Sequence, residues 1–484
     1  MLLHYYFSRN VTTNNSRWQE TVYSIIIYLC DMANDSSTLV LGTEPVGKLL
    51  TRFAIPAIIA MTASSLYNMA DSIFIGQGVG AMAISGLAIT FPLMNLAAAF
   101  GSLVGVGAST LISVKLGQRD YEGANHVLGN VLMLNIILGL SFSIIFLTFL
   151  DPVLYFFGGS EQTIPYARSY MKIILYGNVI THIYLGLNSA LRSSGFPNQA
   201  MYATLLSVII NCVLDPLFIF GFGWGIEGSA WATIIAQTIS LMGEVWHFAR
   251  PNQLLRFQRG IYHLSSEIVG GIISIGMSPF LMNLCSCLIV ILINRGLKEY
   301  GGDMAIGGYG IANRIVFLFV MVIMGFNQGM QPIAGYNYGA KLFHRVMGVT
   351  RLTMYWGIGV ATVGFLASEL IPNLIIRAFT KDASLIHEAA YGLRIIMAVF
   401  PFVGFQMVSS NFFMSVGMPK KSIFLSLTRQ LLFLVPCLLI LPPFLGILGV
   451  WISMPIADAV AAIVAGILLT REFRDFKRQA TAAA

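Results

Sequence analysis

Two carboxyl side chains, Asp71 and Asp215, stand within long apolar stretches of the sequence. An acidic side chain at the centre of a membrane-spanning helix costs about 2.5–3.5 kcal/mol on insertion scales. Each acid follows a polar residue by four positions, Asp71 after Tyr67 and Asp215 after Asn211. Residues four apart share one face of a helix, so each pair forms a polar patch. Two such patches predict a shared site.

The chemistry open to these residues is the binding of a proton or of a small hard cation. Two carboxylates that lie close together in a low-dielectric site repel each other, so one of them is expected to hold a proton near neutral pH. Oxygen atoms of Tyr67, Asn211 and Thr233 could instead complete a site for Na⁺ around the two acids. A lone acid near a helix end could also reach the membrane surface or bind a structural partner. The matched spacing of Asp71 and Asp215 favours a working site.

The composition of the chain indicates where such a site would lie. The chain has 484 residues, of which 56% are hydrophobic and 10% are charged, and its mean hydropathy is +0.77. Soluble domains carry about 25% charged residues, so we predict a protein that is solvated by membrane lipid. The net charge of +7 is not concentrated in a basic patch, and we expect no nucleic-acid partner. The five cysteines show no disulfide or metal-binding spacing.

Twelve apolar runs, each about 20 residues or longer, follow one another from residue 46. Only helices and closed barrels span a bilayer, and the period-two alternation of a barrel is absent. The sequence therefore predicts an all-α polytopic membrane protein with twelve transmembrane helices. In chain order, runs 1 to 12 are 46–75, 83–114, 124–150, 164–190, 198–220, 227–249, 266–296, 305–338, 346–370, 387–414, 420–443 and 447–471.

The polar residues of runs 1, 5 and 6 fall at one depth. If run 1 leads outward, Asp71 and Asp215 each lie about one turn before the outer ends of runs 1 and 5. Thr233 lies less than two turns after the outer start of run 6. The three side chains are thus predicted to meet in the outer half of the membrane. Pro56 in run 1 and Pro216 in run 5 each remove a backbone hydrogen bond and permit a kink.

The distribution of Lys and Arg predicts the orientation. With the N-terminus inside, the cytoplasmic segments carry seventeen Lys and Arg residues and the outer segments carry six. We therefore expect a multi-pass protein of the cytoplasmic (inner) membrane with both termini in the cytoplasm. Residues 1–45 form an N-terminal extension or tail, because their apolar run 22–30 is too short to span and lacks a cleavage site. Residues 1–31 are either an upstream extension or a flexible tail.

The two halves of the sequence repeat each other at an offset of about 222 residues. "SGFPNQA" (194–200) matches "VGMPKKS" (416–422), and "AISGLAI" (83–89) matches "AIGGYGI" (305–311). Each half has six runs, an even number, so both halves enter from the same side and the repeat is parallel. Such a repeat is typical of secondary transporters, whose site lies between the halves. The predicted segments are an N-terminal lobe (46–249), a cytoplasmic linker (250–265), a C-terminal lobe (266–471) and a cytoplasmic tail (472–484).

Over about residues 45–470, the sequence resembles the multidrug and toxic compound extrusion (MATE) transporters. The helix count, the parallel repeat and the Gly-x-Pro loops carry the resemblance. Its DinF-type branch has a proline, a Tyr and an Asp on helix 1, Asn-xxx-Asp on helix 5 and a Thr on helix 6. The positions that match this pattern are Pro56, Tyr67, Asp71, Asn211, Asp215 and Thr233. The resemblance implies cation-coupled antiport through two six-helix lobes, with the two acids carrying the coupling.

The NorM-type branch is associated with further acids on helices 7 and 10, and this sequence departs from it. The stretches 280–294 of run 7 and 392–413 of run 10 contain no carboxylate, and the repeat counterparts of Asp71 and Asp215 fall near Asn294 and Pro436. The expected coupling is therefore confined to the N-terminal lobe.

Two further polar residues are secondary candidates. Asp458 in run 12 could be a second acidic site or a structural partner of Arg429 in run 11. Gln331 in run 8 could line a cavity, although hydrogen bonds between helices explain such residues equally well.

The resulting hypothesis is a monomeric antiporter that exports amphipathic or cationic organic compounds in exchange for H⁺ or Na⁺, without a cofactor. Its partners are small organic molecules and membrane lipid. The alternative is a flippase for a lipid-linked saccharide or another lipid, although few basic residues are available for a pyrophosphate. A membrane-embedded enzyme is not expected, because HExxH, GxSxG and paired-acid protease motifs are absent.

Overall fold

The computed structural model describes residues 40–380 and 382–482 and confirms the twelve predicted helices. Predicted residues 1–31 lie outside this described part. The twelve helices are α1 (Val46–Gly78), α2 (Ala81–Gly117), α3 (Tyr121–Thr148), α4 (Ile164–Ser193), α5 (Pro197–Gly221), α6 (Gly225–Ala249), α7 (Ser266–Gly302), α8 (Met304–Gly339), α9 (Phe343–Leu370), α10 (Ala383–Met397 and Phe400–Ser415), α11 (Pro419–Leu445) and α12 (Ile447–Ala482).

Most of these helices are apolar enough to cross a membrane by themselves. Within the described residues, eight helices are long and apolar enough to cross a membrane, and α10 is a ninth if its two bent segments form one span. Helices α4, α6 and α9 are more polar because they bury polar side chains against their neighbours, for example His182 and Asn188 in α4 and Thr350 in α9. A polar side chain on a membrane helix is satisfied by the helix that it faces.

The structure adds breaks and short helices that the runs did not predict. Helix α10 bends by 51° at the break between Met397 and Phe400, directly before Pro401. The last turn of α5 after Pro216 widens to a π-helix at Leu217–Gly221. In contrast, α1 passes through the buried Pro56 without interruption, so its role as a kink stays a prediction.

The two predicted Gly-x-Pro loops are turns with the same backbone conformation at glycine and the same position of proline. Gly195 and Gly417 each have a positive φ, +97° and +71°. A left-handed conformation suits glycine because other residues pay for it with a steric clash of Cβ. Pro197 and Pro419 then occupy the first turn of α5 and α11, where the missing N–H has no helical acceptor to lose. This explains why the motif recurs 222 residues apart.

The helices of each half pack mainly on one another. In the first half, α4 packs against α2, α3 and α6, and α5 packs against α1 and α6; in the second half, α10 packs against α9 and α12, and also against α8, where Gly308 meets Ala389. The predicted linker lies on α3, where Asn125 binds the backbone of Leu254 and Arg256. The last helix continues to Ala482, so the start of the predicted tail is helical. The exact lobe boundaries stay a prediction.

Glycines bring the two halves into backbone contact. A Cβ at Gly107 of α2 would lie 2.1 Å from the Ile272 oxygen of α7, and a Cβ at Gly276 of α7 would lie 1.8 Å from the Leu103 oxygen of α2. Small residues of this kind let membrane helices approach closely.

The contact between α2 and α8 is symmetric at their C-terminal ends. A Cβ at Gly117 would lie 1.9 Å from the Tyr336 oxygen, and a Cβ at Gly339 would lie 2.1 Å from the Val114 oxygen. These two pairs are related by the 222-residue offset. The α2–α8 crossing, defined by these four residues, therefore joins the two halves at the end that is predicted to be cytoplasmic.

Candidate functional site

The two predicted acids meet in the first half of the protein. Asp71 of α1 and Asp215 of α5 are buried, with 6% and 0% of their surfaces exposed. Their carboxyl groups are close enough to interact directly. Because two carboxylates repel each other at close range in a buried site, this arrangement favours a proton on one of them.

A chain of hydrogen bonds connects the other three predicted residues to this pair. The hydroxyls of Tyr67 and Thr233 are 2.8 Å apart. With the Asn211 amide oriented so that both of its ends are satisfied, its oxygen accepts from Thr233 Oγ1 at 3.1 Å and from the Thr233 N–H at 3.0 Å. Its nitrogen then donates to Asp215 Oδ2 at 2.7 Å. All five predicted residues thus belong to one cluster, which we call the acid-pair network.

Sequence reasoning missed two members of this cluster. Ser229 of α6 is fully buried and donates a hydrogen bond from Oγ to Asp71 Oδ1. Tyr170 of α4 is buried and close enough to interact electrostatically with both acids. Ser229 stands four residues before Thr233 on the same helix face, and this spacing could have identified it. Tyr170 is one of many aromatic residues in the runs, and nothing in the sequence singles it out.

The acid-pair network leaves one acceptor free. Asp215 Oδ1 is buried and receives no hydrogen bond from a hydroxyl or N–H group among the described residues. A buried carboxylate oxygen without a donor is costly, and this cost falls when it gains a proton or a cation. The surrounding ligands are hydroxyl, amide and carboxylate oxygens, which suit a proton or a hard cation.

A cavity of about 510 Å³ adjoins the acid-pair network. It lies between the halves, with walls from α1, α2, α4, α5, α6 and α8. Tyr67, Asn211 and Thr233 line it, whereas the two acids lie behind them and do not. The three polar side chains therefore contact both the contents of the cavity and the buried acids.

A second polar cluster lies at the other end of the cavity wall. Arg192, near the end of α4, donates through Nη1 to Asn188 Oδ1 and through Nη2 to Ser189 Oγ at 3.0 Å. Asn188 donates to Glu244 Oε1 of α6 at 2.9 Å. In the sequence, Arg192 is one of the seventeen predicted cytoplasmic Lys and Arg residues, and nothing connects it to Glu244, because the packing of α4 on α6 is not visible in the runs.

The secondary candidates lie elsewhere. Asp458 forms an ion pair with Arg429 at 2.5 Å, the structural partner that was one of its two predicted alternatives. Gln331 donates to Thr110 Oγ1 at 3.0 Å and thereby joins α8 to α2, and it does not line the cavity. Whether either contributes to function stays a prediction.

Comparison with known proteins identifies the family. The MatE family model matches residues 56–217 and 275–439. The Staphylococcus aureus multidrug export protein MepA is 26% identical over 426 residues, which are 88% of this chain and 94% of MepA. An outward-facing multidrug resistance MATE family transporter of the MOP superfamily superposes with a TM-score of 0.86 at 26% identity, over 92% of this chain and 100% of that one.

A second solved structure gives the same fold. A MOP superfamily transporter from Pyrococcus furiosus, described as having a binding pocket of reverse polarity, has a TM-score of 0.86 at 26% identity and covers 92% of this chain and 99% of its own. The family match extends over both halves of the sequence and reaches ten of the twelve helices, all except α6 and α12. The chain therefore belongs to the MatE family of multi-pass membrane transporters.

Proposed function

We propose that this protein exports amphipathic or cationic organic compounds by alternating access, and that uptake of H⁺ or Na⁺ at Asp71 and Asp215 drives the export. The two lobes, 46–249 and 266–471, rock about the α2–α8 crossing and expose the cavity to one side at a time. Loading of the acids reshapes α1 around Pro56 and releases the compound.

The observation that carries this proposal is the position of the acid-pair network. Tyr67, Thr233 and Asn211 line the cavity and also connect, through hydrogen bonds, to the buried acids. A compound that draws on these side chains competes with the bonds that hold Asp215. Binding of the compound and binding of the cation are thereby opposed, as antiport requires.

The size of the cavity supports an organic substrate. Pockets of about 300–1,000 Å³ enclose drug-sized molecules, and this one measures about 510 Å³. Its wall mixes apolar side chains such as Met61, Val106 and Phe317 with hydroxyl and amide groups. MepA is named for multidrug export, and the same class of substrate is proposed here.

The test is ethidium efflux from cells that express the wild type, Asp71→Asn or Asp215→Asn at equal levels. Both variants are expected to reduce efflux to the level of cells without the protein, because an amide keeps the shape of the site but cannot exchange a proton. Asp151→Asn is the matched control, since it removes an acid of the first half that pairs with Arg168 outside the cavity. Full efflux by both Asp71→Asn and Asp215→Asn would refute the coupling role.

The coupling ion is resolved in proteoliposomes. If H⁺ is the coupling ion, a higher proton concentration on the outer side drives uphill export in the absence of sodium. If Na⁺ is the coupling ion, a higher sodium concentration on the outer side drives it at equal pH. We propose that the protein acts as a monomer in the cytoplasmic membrane with both termini inside. Impermeant labelling of single cysteines at Gln118 and Ser160, which lie at opposite ends of the helices, tests the orientation.

The alternative cargo, a lipid-linked saccharide or another lipid, has less support. A pyrophosphate carries several negative charges, whereas one guanidinium is present among the described residues that line the cavity. Dependence of cell growth on the gene, without any change in drug tolerance, would favour this alternative.

A further inference from the structure

Arg192 gives the cavity a positive end. Among the described residues that line the cavity it is the one with a formal charge, and the others are apolar or neutral polar side chains. An arginine side chain stays protonated in proteins. This charge stands in the wall of a site proposed to hold organic compounds, so its available partners decide what it can bind.

The guanidinium of Arg192 has more N–H groups than its two protein partners use. It has five N–H groups, and it donates to Asn188 and Ser189. No carboxylate among the described residues is close enough to form an ion pair with it. The remaining donors are available to a ligand, and the planar fork of an arginine matches a carboxylate in a two-point contact.

Glu244 holds Asn188, the partner of Arg192, from outside the cavity wall. It is buried, does not line the cavity, and binds Asn188 rather than Arg192. Asn188 also donates to the Ala200 oxygen at 2.9 Å, so its side chain is held on both α5 and α6. Glu244 interacts with Arg192 at longer range and offsets part of the cost of the buried cation without occupying its donors. The second oxygen of Glu244, Oε2, has no hydrogen-bond partner among the described residues.

We propose that Arg192 is the anion-binding end of the cavity, and that the exported compounds include amphipathic molecules with one carboxylate group, zwitterions among them. This inference rests on the proposed export function. The carboxylate binds the free N–H groups of Arg192, and the body of the molecule extends along α5 towards Asn211. From Ala200, which faces Asn188, to Asn211 the helix rises about 16 Å. A zwitterion of that length would place its cationic end beside the acid-pair network.

The experiment compares two substrates that differ in one group. A rhodamine dye with a free carboxylic acid and the methyl ester of the same dye are transported into inside-out vesicles by the wild type, Arg192→Gln and Arg192→Lys. Arg168→Gln is the matched control, because Arg168 lies near the other end of the same helix and pairs with Asp151 outside the cavity. We expect Arg192→Gln to weaken the apparent affinity for the acid by about tenfold to a hundredfold, with little change for the ester.

Arg192→Lys keeps the charge but loses the two-point contact, so an intermediate loss for the acid is expected. If Arg192→Gln fails to fold because Glu244 is left without its counter-charge, the double variant Arg192→Gln/Glu244→Gln removes both charges and is tested in its place. Equal loss of acid and ester in a folded variant, or no loss of either, would overturn the inference. Failure of the wild type to transport both dyes would instead count against the proposed export function.

Discussion

The α2–α8 crossing leads to a prediction whose size follows from the structure. In Gly339→Ala, the new Cβ would lie 2.1 Å from the Val114 oxygen, whereas real Cβ atoms essentially never come closer than 3.0 Å. The atom that it meets belongs to the backbone, so no side chain can rotate away. The ends of α2 and α8 would have to separate by about 1 Å, because packed interiors have no free space for the methyl group.

Overpacking of this kind costs about 1–3 kcal/mol. The cost applies only to the conformation in which the two ends touch, so the ratio of closed to open forms falls by about 5- to 150-fold. Spin labels at Gln118 and Lys341, in a background without native cysteines, report the distance between the two ends. We expect Gly339→Ala to populate longer distances and to slow dye export. Gly359→Ala is the matched control, because a Cβ there meets nothing within 4 Å.

The refuting result is specific. If Gly339→Ala and Gly359→Ala give the same distance distribution and the same export rate, the two helix ends are not in backbone contact in the working protein. If the distances lengthen but export is unchanged, closure of this end does not limit the transport cycle.

Three further predictions concern single polar contacts. Asp120→Ala removes the N-cap of α3 and should destabilise the protein by about 1 kcal/mol in thermal unfolding. A hydrogen bond from a lysine and one from a backbone N–H hold the pKa of Asp120 below its usual range. The stabilisation by Asp120 is therefore fully present above the pKa of the unfolded chain, near 3.9, and is lost as the pH falls through the lower pKa of the folded protein. The melting temperatures of variant and wild type should thus converge in acid, and a constant difference between them would contradict this. Ser229→Ala leaves Asp71 without its hydroxyl donor and should cost about 1–3 kcal/mol of stability and reduce export, whereas an unchanged melting temperature would show that the bond contributes nothing. Arg429→Leu alone should cost about 3 kcal/mol because it leaves Asp458 buried without its counter-ion, while replacing both residues with leucine should restore much of the stability in the same assay; equal losses would argue against a structural pair.

The sequence predicts the helices well because the bilayer fixes their length and polarity. All twelve apolar runs correspond to helices, and the ends differ by a few residues at most of them. The local departures were not predictable from composition. Both Pro56 and Pro401 lack an N–H, yet α1 continues through the first and α10 breaks just before the second. The packing of neighbouring helices, which the runs do not contain, decides between a continuous and a broken helix.

The acid-pair network was predictable for a different reason. A carboxylate in a membrane helix is costly enough to stand out, and its partners one turn away share its face, as Tyr67 and Asn211 do. Ser229 was missed because serine is common between packed membrane helices. Arg192 and Glu244 were missed because their relation depends on how α4 lies against α6. Charges near a helix end look alike in sequence, whether they face a loop or a cavity.

Thr233 has a single hydroxyl hydrogen, and this count has a consequence for the transport cycle. In the acid-pair network that hydrogen goes to the Asn211 oxygen, and the hydroxyl accepts from Tyr67. A compound in the cavity that takes the hydrogen leaves the Asn211 oxygen with one donor fewer, and a compound that donates to Thr233 displaces Tyr67. A polar contact made at this hydroxyl therefore replaces one hydrogen bond of the acid-pair network. In the proposed transport cycle, cargo and cation therefore compete for the hydrogen bonds of one network, and by thermodynamic reciprocity each weakens the binding of the other by the same factor.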